Sequence, residues 1–121
     1  MQLFDVTTVA LERALAGAAL RHEVLSANIA NANTPGYHRA DVDFHSVLAR
    51  ALSGAATPES VEDVTFTAAI DGSGPVRYDG SSVDPEREMA SLAENGLEYQ
   101  AIVATLRARM RMLETAIGGR V

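Results

Sequence analysis

Few side chains in this sequence could do chemistry. His38, Asp41, Asp43 and His45 fall within eight residues, and imidazoles and carboxylates are the ordinary ligands of divalent metals. Their spacing matches no metal motif, and alternation along an extended chain sends His38 and His45 to opposite sides. They read as a solvated turn, and no metal site is predicted. His22 falls among apolar neighbours on a helical stripe, the place of a packed histidine rather than of a base or ligand. Arg107, Arg109 and Arg111 alternate, and residues two apart on a helix do not share a face; they read as a solvated helix end, not as a basic patch. The chain has no Cys, which removes disulfides, thiolate ligands and thiol nucleophiles. With no Gly-rich phosphate loop and no Ser-His-Asp arrangement, the expectation is a protein that is not an enzyme and uses no cofactor.

The composition points the same way. The 121 residues suffice for one small domain. The hydrophobic fraction of 47% overstates the core, because 21 of those residues are Ala, and Leu, Ile, Val and Phe together number only 29. Burial contributes about 25 cal/mol per Å² of apolar surface, so a lone monomer built on this core is marginal and a partner would supply missing burial. The net charge is −6 and all ten basic residues are Arg. An acidic chain repels phosphates, so nucleic acid is not an expected partner. No apolar run approaches the roughly 20 residues of a membrane-spanning helix. Without a basic segment ahead of an unbroken apolar stretch, no cleaved secretory signal is expected. The chain is therefore expected to be soluble and to start in the cytoplasm, with no direct membrane insertion.

The elements that would position any functional surface are at the two ends. Leu11, Leu15, Ala18, His22, Leu25 and Ile29 alternate in steps of three and four, as part of a run from Phe4 to Ala32. Met89, Leu92, Gly96, Tyr99, Val103, Leu106, Met110, Leu113 and Ile117 do the same. A repeat near 3.5 residues is the seam of a helix that packs lengthwise on another. Asp5 is placed to cap the first helix, which is predicted to end near Asn31 to Asn33, with Asn as a left-handed cap and Pro35 disfavouring helix at Thr34. Pro35-Gly36 reads as a turn. Asp84 is a good N-cap and Pro85 suits the first helical position of the second long helix, which Gly118-Gly119 stops. From Pro85 to Ile117 that helix would be on the order of 50 Å long, so it must lie along the first helix or project into a neighbour.

Between them, Ala40 to Phe44 reads as extended and His45 to Leu52 as a short helix capped by Asp43. Ser53 to Ser60 reads as a linker. Val64 to Ile70 alternates like a strand, with Val76 to Tyr78 as its returning partner, although a lone hairpin is marginal in water. The predicted fold is mainly α: two long terminal helices pairing as a coiled coil, joined by an irregular middle segment with a short helix and a β-hairpin. It forms one structural unit of three parts: residues 1–34, 35–83 and 84–121.

One stretch is more specific than pattern. Asn28, Ile29, Ala30, Asn31, Ala32, Asn33, Thr34, Pro35, Gly36 and Tyr37 fit, at ten consecutive positions, the form N-[IL]-A-N-A-x-T-P-G-[YF]. This resembles the N-terminal signature of bacterial flagellar rod and hook proteins. Tyr37 to Phe44, Asp79 to Asp84, Arg87 to Ala90 and Glu94 to Gln100 are similar to the proximal-rod members, as is the short total length; the likeness is weak over residues 53–78. The resemblance implies a structural subunit of the basal body. Such a subunit is exported without a cleaved signal through the flagellar export apparatus and self-associates through its terminal helices into the periplasmic rod. It also implies, as partners, the other rod subunits and the rod-to-membrane-ring junction protein. The competing expectation is a cytoplasmic helical adaptor or export chaperone of the flagellar system that binds one partner and does not polymerise. Asn28, Asn31 and Asn33 read equally well as helix-end formers and as residues holding the turn in the geometry a neighbour needs.

Overall fold

A computed structural model describes residues 5–118. Helix α1 (Val6–Ala30) starts where the Asp5 side chain accepts a hydrogen bond from the Thr8 N–H at 2.9 Å. Strand β1 (Ala40–Asp41) follows, then helices α2 (Phe44–Leu52) and α3 (Pro58–Glu62), strand β2 (Ala69–Ile70), and helix α4 (Pro85–Gly118). The two long helices pack lengthwise, as the seams predict. They run antiparallel: Asn28 of α1 meets Glu88, Ala18 meets Asn95, and Thr8 meets Arg109. Pro85 opens α4, with the Asp84 carboxylate accepting from the Glu86 N–H at 3.1 Å, which leaves the free amides of the first turn satisfied. The seam position Phe4 and the stop residue Gly119 lie outside the described residues.

The middle segment packs along one side of the hairpin. Phe44, Val42 and Ala18 form the buried centre, with Ala14, Leu20, Val24, Phe66 and Ile102 around them. Phe66 meets the Phe44 ring edge-on at 6.2 Å, and the Arg13 guanidinium lies over Phe66. Burying one such ring contributes about 1.5–3 kcal/mol, so Phe44 is a large share of a small core. Gly17 makes room for it, since a Cβ there would come within 2.6 Å of the Phe44 Cβ.

Three local expectations are corrected. Strand β2 pairs antiparallel with β1, Ala40 opposite Ile70 and Asp41 opposite Ala69, rather than with Val76 to Tyr78. The Arg39 carbonyl extends this pairing by accepting the Asp71 N–H at 2.9 Å, while residues 77–81 close into a turn of their own. The expected linker, Ser53 to Ser60, runs at its end into α3, whose Thr57 and Ser60 cap each other and whose Val61, just beyond it, is fully buried; one apolar residue beside a polar run is too faint a period to detect. Asn31 caps α1 with φ −105, not in the left-handed region. Gly36, by contrast, takes the positive φ its turn demands.

Gly17→Ala sets a gain in helix propensity of about 1 kcal/mol against a collision with a ring that has no free space, where overpacking costs about 1–3 kcal/mol. The collision is expected to win, and thermal denaturation should show a lower melting temperature; a higher one would contradict the packing described.

Candidate functional site

The signature segment ends α1 and folds back onto the start of α4, and the join is polar. Asn28 is fully buried. Its Nδ2 donates to the Ala40 carbonyl at 2.7 Å, and its Oδ1 accepts the Ala40 N–H at 3.0 Å. One side-chain amide thus satisfies both backbone groups of a strand residue, as a neighbouring strand would. The same Nδ2 reaches Glu88 Oε2 at 3.2 Å. Glu88, also buried, pairs with Arg39 through Nε, and through Nη2 at 3.3 Å. Arg39 further pairs with Asp71, and with Asp41 at 3.3 Å, while Arg21 of α1 holds the other oxygen of Asp41 at 2.8 Å.

The surrounding backbone closes on this cluster. The Gly36 N–H donates to the Asp79 carbonyl at 3.0 Å and the Ser82 N–H to the Tyr37 carbonyl at 3.0 Å. The Ser82 hydroxyl accepts the Arg39 N–H at 2.9 Å, and the buried Ser81 hydroxyl donates to the Ala32 carbonyl at 3.3 Å. Gly80 has φ +86, and a Cβ there would sit 3.3 Å from the Gly36 Cα. Two glycines therefore let the two loops touch. The hydrogen bonds it donates to Glu88 hold the Arg39 guanidinium above the usual arginine range, against the opposing effect of burial. Burial pushes the Asp41 carboxyl up, but the Arg21 hydrogen bond and the Val42 N–H outweigh it and hold it below the usual range. Asp71 is lowered first by its bonds from Ser73 and then by Arg39.

Within the signature, Asn28 and Ala32 are buried, and Ile29, Asn31 and Tyr37 are half-buried. Ala30, Asn33, Thr34, Pro35 and Gly36 are exposed. Asn31 Nδ2 donates to the Ala27 carbonyl, and its Oδ1 accepts from the Thr34 hydroxyl at 3.2 Å. Along the first seam, Ala18 and Leu25 are buried, Leu11, Leu15 and Ile29 half-buried, and His22 exposed. Along the second, Leu92, Gly96, Val103, Leu106 and Leu113 are half-buried, and Met89, Tyr99, Met110 and Ile117 are exposed. The line of α4 that turns inward is Glu88, Asn95, Ile102 and Arg109, one residue before Met89, Gly96, Val103 and Met110. Polarity hid it: each polar member has a dedicated partner, namely Arg39 for Glu88, the Ala18 carbonyl for Asn95, and Asp5 and Thr8 for Arg109. Arg107 and Arg111 are exposed and border a hollow beside Leu15 of α1. The exposed His45 ring meets Glu98 of α4 through Nε2. Among the described residues no three metal-ligating side chains converge, and no described helix is long and apolar enough to cross a membrane.

Between the long helices an open, largely apolar groove has two hollows, one bordered by Leu15, Val103, Leu106 and Met110 with Arg107 and Arg111, the other by Ala19, His22, Gly96 and Tyr99 with Gln100. A helical hairpin that is locked at one end, backed on one side and open along the other is the architecture of a structural assembly subunit. Residues 10–38 match the family described as flagella basal body rod protein. The chain is 31% identical over 127 residues to the flagellar basal body rod protein FlgB of Bacillus subtilis (strain 168), with 98% of each chain covered. It is 41% identical over 108 residues to the FlgB of Cereibacter sphaeroides, covering 82% of this chain and 84% of that one. It is 35% identical over 109 residues to that of Escherichia coli (strain K12), covering 77% and 79%. The chain belongs to the flagellar basal body rod protein FlgB family.

Removing one member of a buried ion pair costs about 3–5 kcal/mol when the other is left without a partner. Glu88→Ala leaves Arg39 with Asp71 and Asp41, whereas Arg39→Ala leaves Glu88 with Asn28 alone. Arg39→Ala is therefore expected to destabilise more, toward the upper end of that range. Urea denaturation of the two variants checks the order, and a larger loss for Glu88→Ala would contradict it.

Proposed function

We propose that this chain is a structural subunit of the proximal rod of the bacterial flagellar basal body. The observation that carries the proposal is similarity to a FlgB protein along 98% of both chains; both helices and the turn between them fall within that span. The chain is exported without a cleaved signal through the flagellar export apparatus. It assembles in the periplasm by stacking its terminal helices against those of other rod subunits, and it meets the rod-to-membrane-ring junction protein. No reaction is assigned to it; its work is mechanical, as part of a torque-transmitting, export-conducting shaft.

The physical support is the distribution of burial. Met89, Met112 and Ile117 are 60%, 71% and 66% exposed on a helix whose only buried side chains are Glu88 and Asn95. A helix so thinly covered gains most of its stability from packing it has not yet made. The seam residues proposed for packing, on both helices, bury part of their surface within the subunit and part between subunits. Assembly then couples ordering of the far helix ends to docking.

An epitope-tagged chain expressed in its own bacterium is expected to co-purify with basal bodies, and its deletion to leave basal bodies without a rod. Retention of the chain in the cytoplasmic fraction, bound to a single partner, would instead identify the adaptor or chaperone role.

A further inference from the structure

We propose that Asn95-Gly96 is a site of spontaneous, irreversible deamidation in the unfolded chain, that docking of α4 on α1 protects it, and that a copy modified there no longer closes its hairpin. The inference concerns the chain's own chemistry and stands whether or not the chain is a rod subunit.

The sequence holds four Asn residues, and only Asn95 precedes Gly. In a flexible chain the backbone nitrogen of the next residue can attack the Asn side chain. A bond forms between the Gly96 nitrogen and the Asn95 Cγ, and the bond from Cγ to Nδ2 breaks. Nδ2 leaves as ammonia with the proton that Gly96 gives up. Water then opens the cyclic imide at either carbonyl and leaves an aspartyl or an isoaspartyl residue at position 95. Water is the one co-reactant, and nothing is oxidised or reduced. Gly is the most permissive neighbour, because it has no side chain to hinder attack and reaches backbone angles that other residues avoid. Ile29, Ala32 and Thr34 follow the other three Asn residues, and the branched Ile29 and Thr34 are stiff and crowd the approach.

The fold removes each requirement of that reaction. Both residues lie inside α4, which runs from Pro85 to Gly118. There the Gly96 N–H is committed to the carbonyl four residues back, and the helix fixes the backbone angles that ring closure has to change. Asn95 is fully buried, and its Nδ2, the leaving group, donates to the Ala18 carbonyl of α1 at 2.9 Å. The reaction therefore needs α4 to open and to leave α1.

The same contacts reject the product. An aspartyl side chain puts a carboxylate oxygen where Nδ2 donates, so an acceptor faces the Ala18 carbonyl. Its second oxygen takes the place of Oδ1, to which no described residue donates. A buried ion without a partner is strongly destabilising. The isoaspartyl product adds a methylene to the main chain in mid-helix, which shifts Ile102 and Arg109 out of register with α1. Asn95 thus sets a time limit on unfolded chain. A copy that folds promptly keeps the amide, and a copy held unfolded loses it together with the contact that seats α4.

Purified full-length chain would be held in mildly alkaline buffer with and without urea, and peptide mass spectrometry would follow the mass gain of amide replaced by acid. Asp71-Gly72 and Asp79-Gly80 form the same imide without that gain, so the signal belongs to Asn alone. Position 95 is expected to change first among the four Asn residues in urea, and at least about tenfold more slowly in the folded chain. After dilution from urea, the fraction that regains the native melting transition should fall in step with the change at position 95. Gly96→Ala, whose Cβ would meet nothing within 4 Å, should fold as before. It should also slow the reaction in urea at least about tenfold and keep the chain able to refold. Asn95→Asp should melt about 10 °C lower or fail to fold. Equal rates with and without urea, earlier change at another Asn, or no slowing by Gly96→Ala would overturn the proposal. So would an unchanged melting temperature in Asn95→Asp or in refolded, modified chain.

Discussion

Where the first helix turns back, Arg39 and Glu88 meet with water excluded from both, and Asn28 stands between Glu88 and the backbone of Ala40. Much of the architecture depends on this contact. It fixes where α4 begins relative to the end of α1, and so it fixes the register of the whole hairpin. Desolvating two ions offsets much of their attraction, so the cluster is better understood as a geometric constraint than as a source of net stability. An apolar pair could slide by a turn; a guanidinium facing Glu88, Asp71 and Asp41, each held by a different element, cannot.

Cover is uneven along the hairpin. At the signature end, α1, both strands, the loop of residues 79–83 and the first turn of α4 are tied by side-chain and backbone bonds. Midway, the Phe44 core closes over Gly17 and Ala18. Toward the far end, Arg109 contacts Asp5 and Thr8, and α4 continues to Gly118 with little against it. In a small protein the net stability is a few kcal/mol left from large opposing terms, so local opening is expected to follow this gradient. The locked end presents a shaped surface, and the loose end presents helix that becomes ordered against a neighbour.

Much of this was legible in the sequence, for physical reasons that can be named. The seams gave two long helices because a 3.5-residue repeat has one geometric meaning. Asp5, Asp43 and Asp84 marked helix starts because capping is local chemistry. What was not legible is nonlocal. Glu88, Asn95 and Arg109 have the types of surface residues, and only the fold reveals that each faces a partner 49 to 104 positions away. Asn28 looked like a helix-end residue, yet its work is to stand in for a strand. Strand β2 lies beside β1 with Asp71, the residue after it, paired to Arg39, the residue before β1, a contact that no window along the chain contains. The inward line of α4 is offset by one residue from the line its apolar pattern suggests, and that offset leaves the groove exposed.

Amide hydrogen exchange on the isolated subunit measures this constraint directly. The account predicts the slowest exchange at the join, at the Gly36, Arg39, Ala40 and Ser82 amides and in the first turns of α4, with protection falling along α4 toward residue 118. Uniform protection along both helices, or slower exchange beyond residue 102 than at residues 85–95, would contradict it.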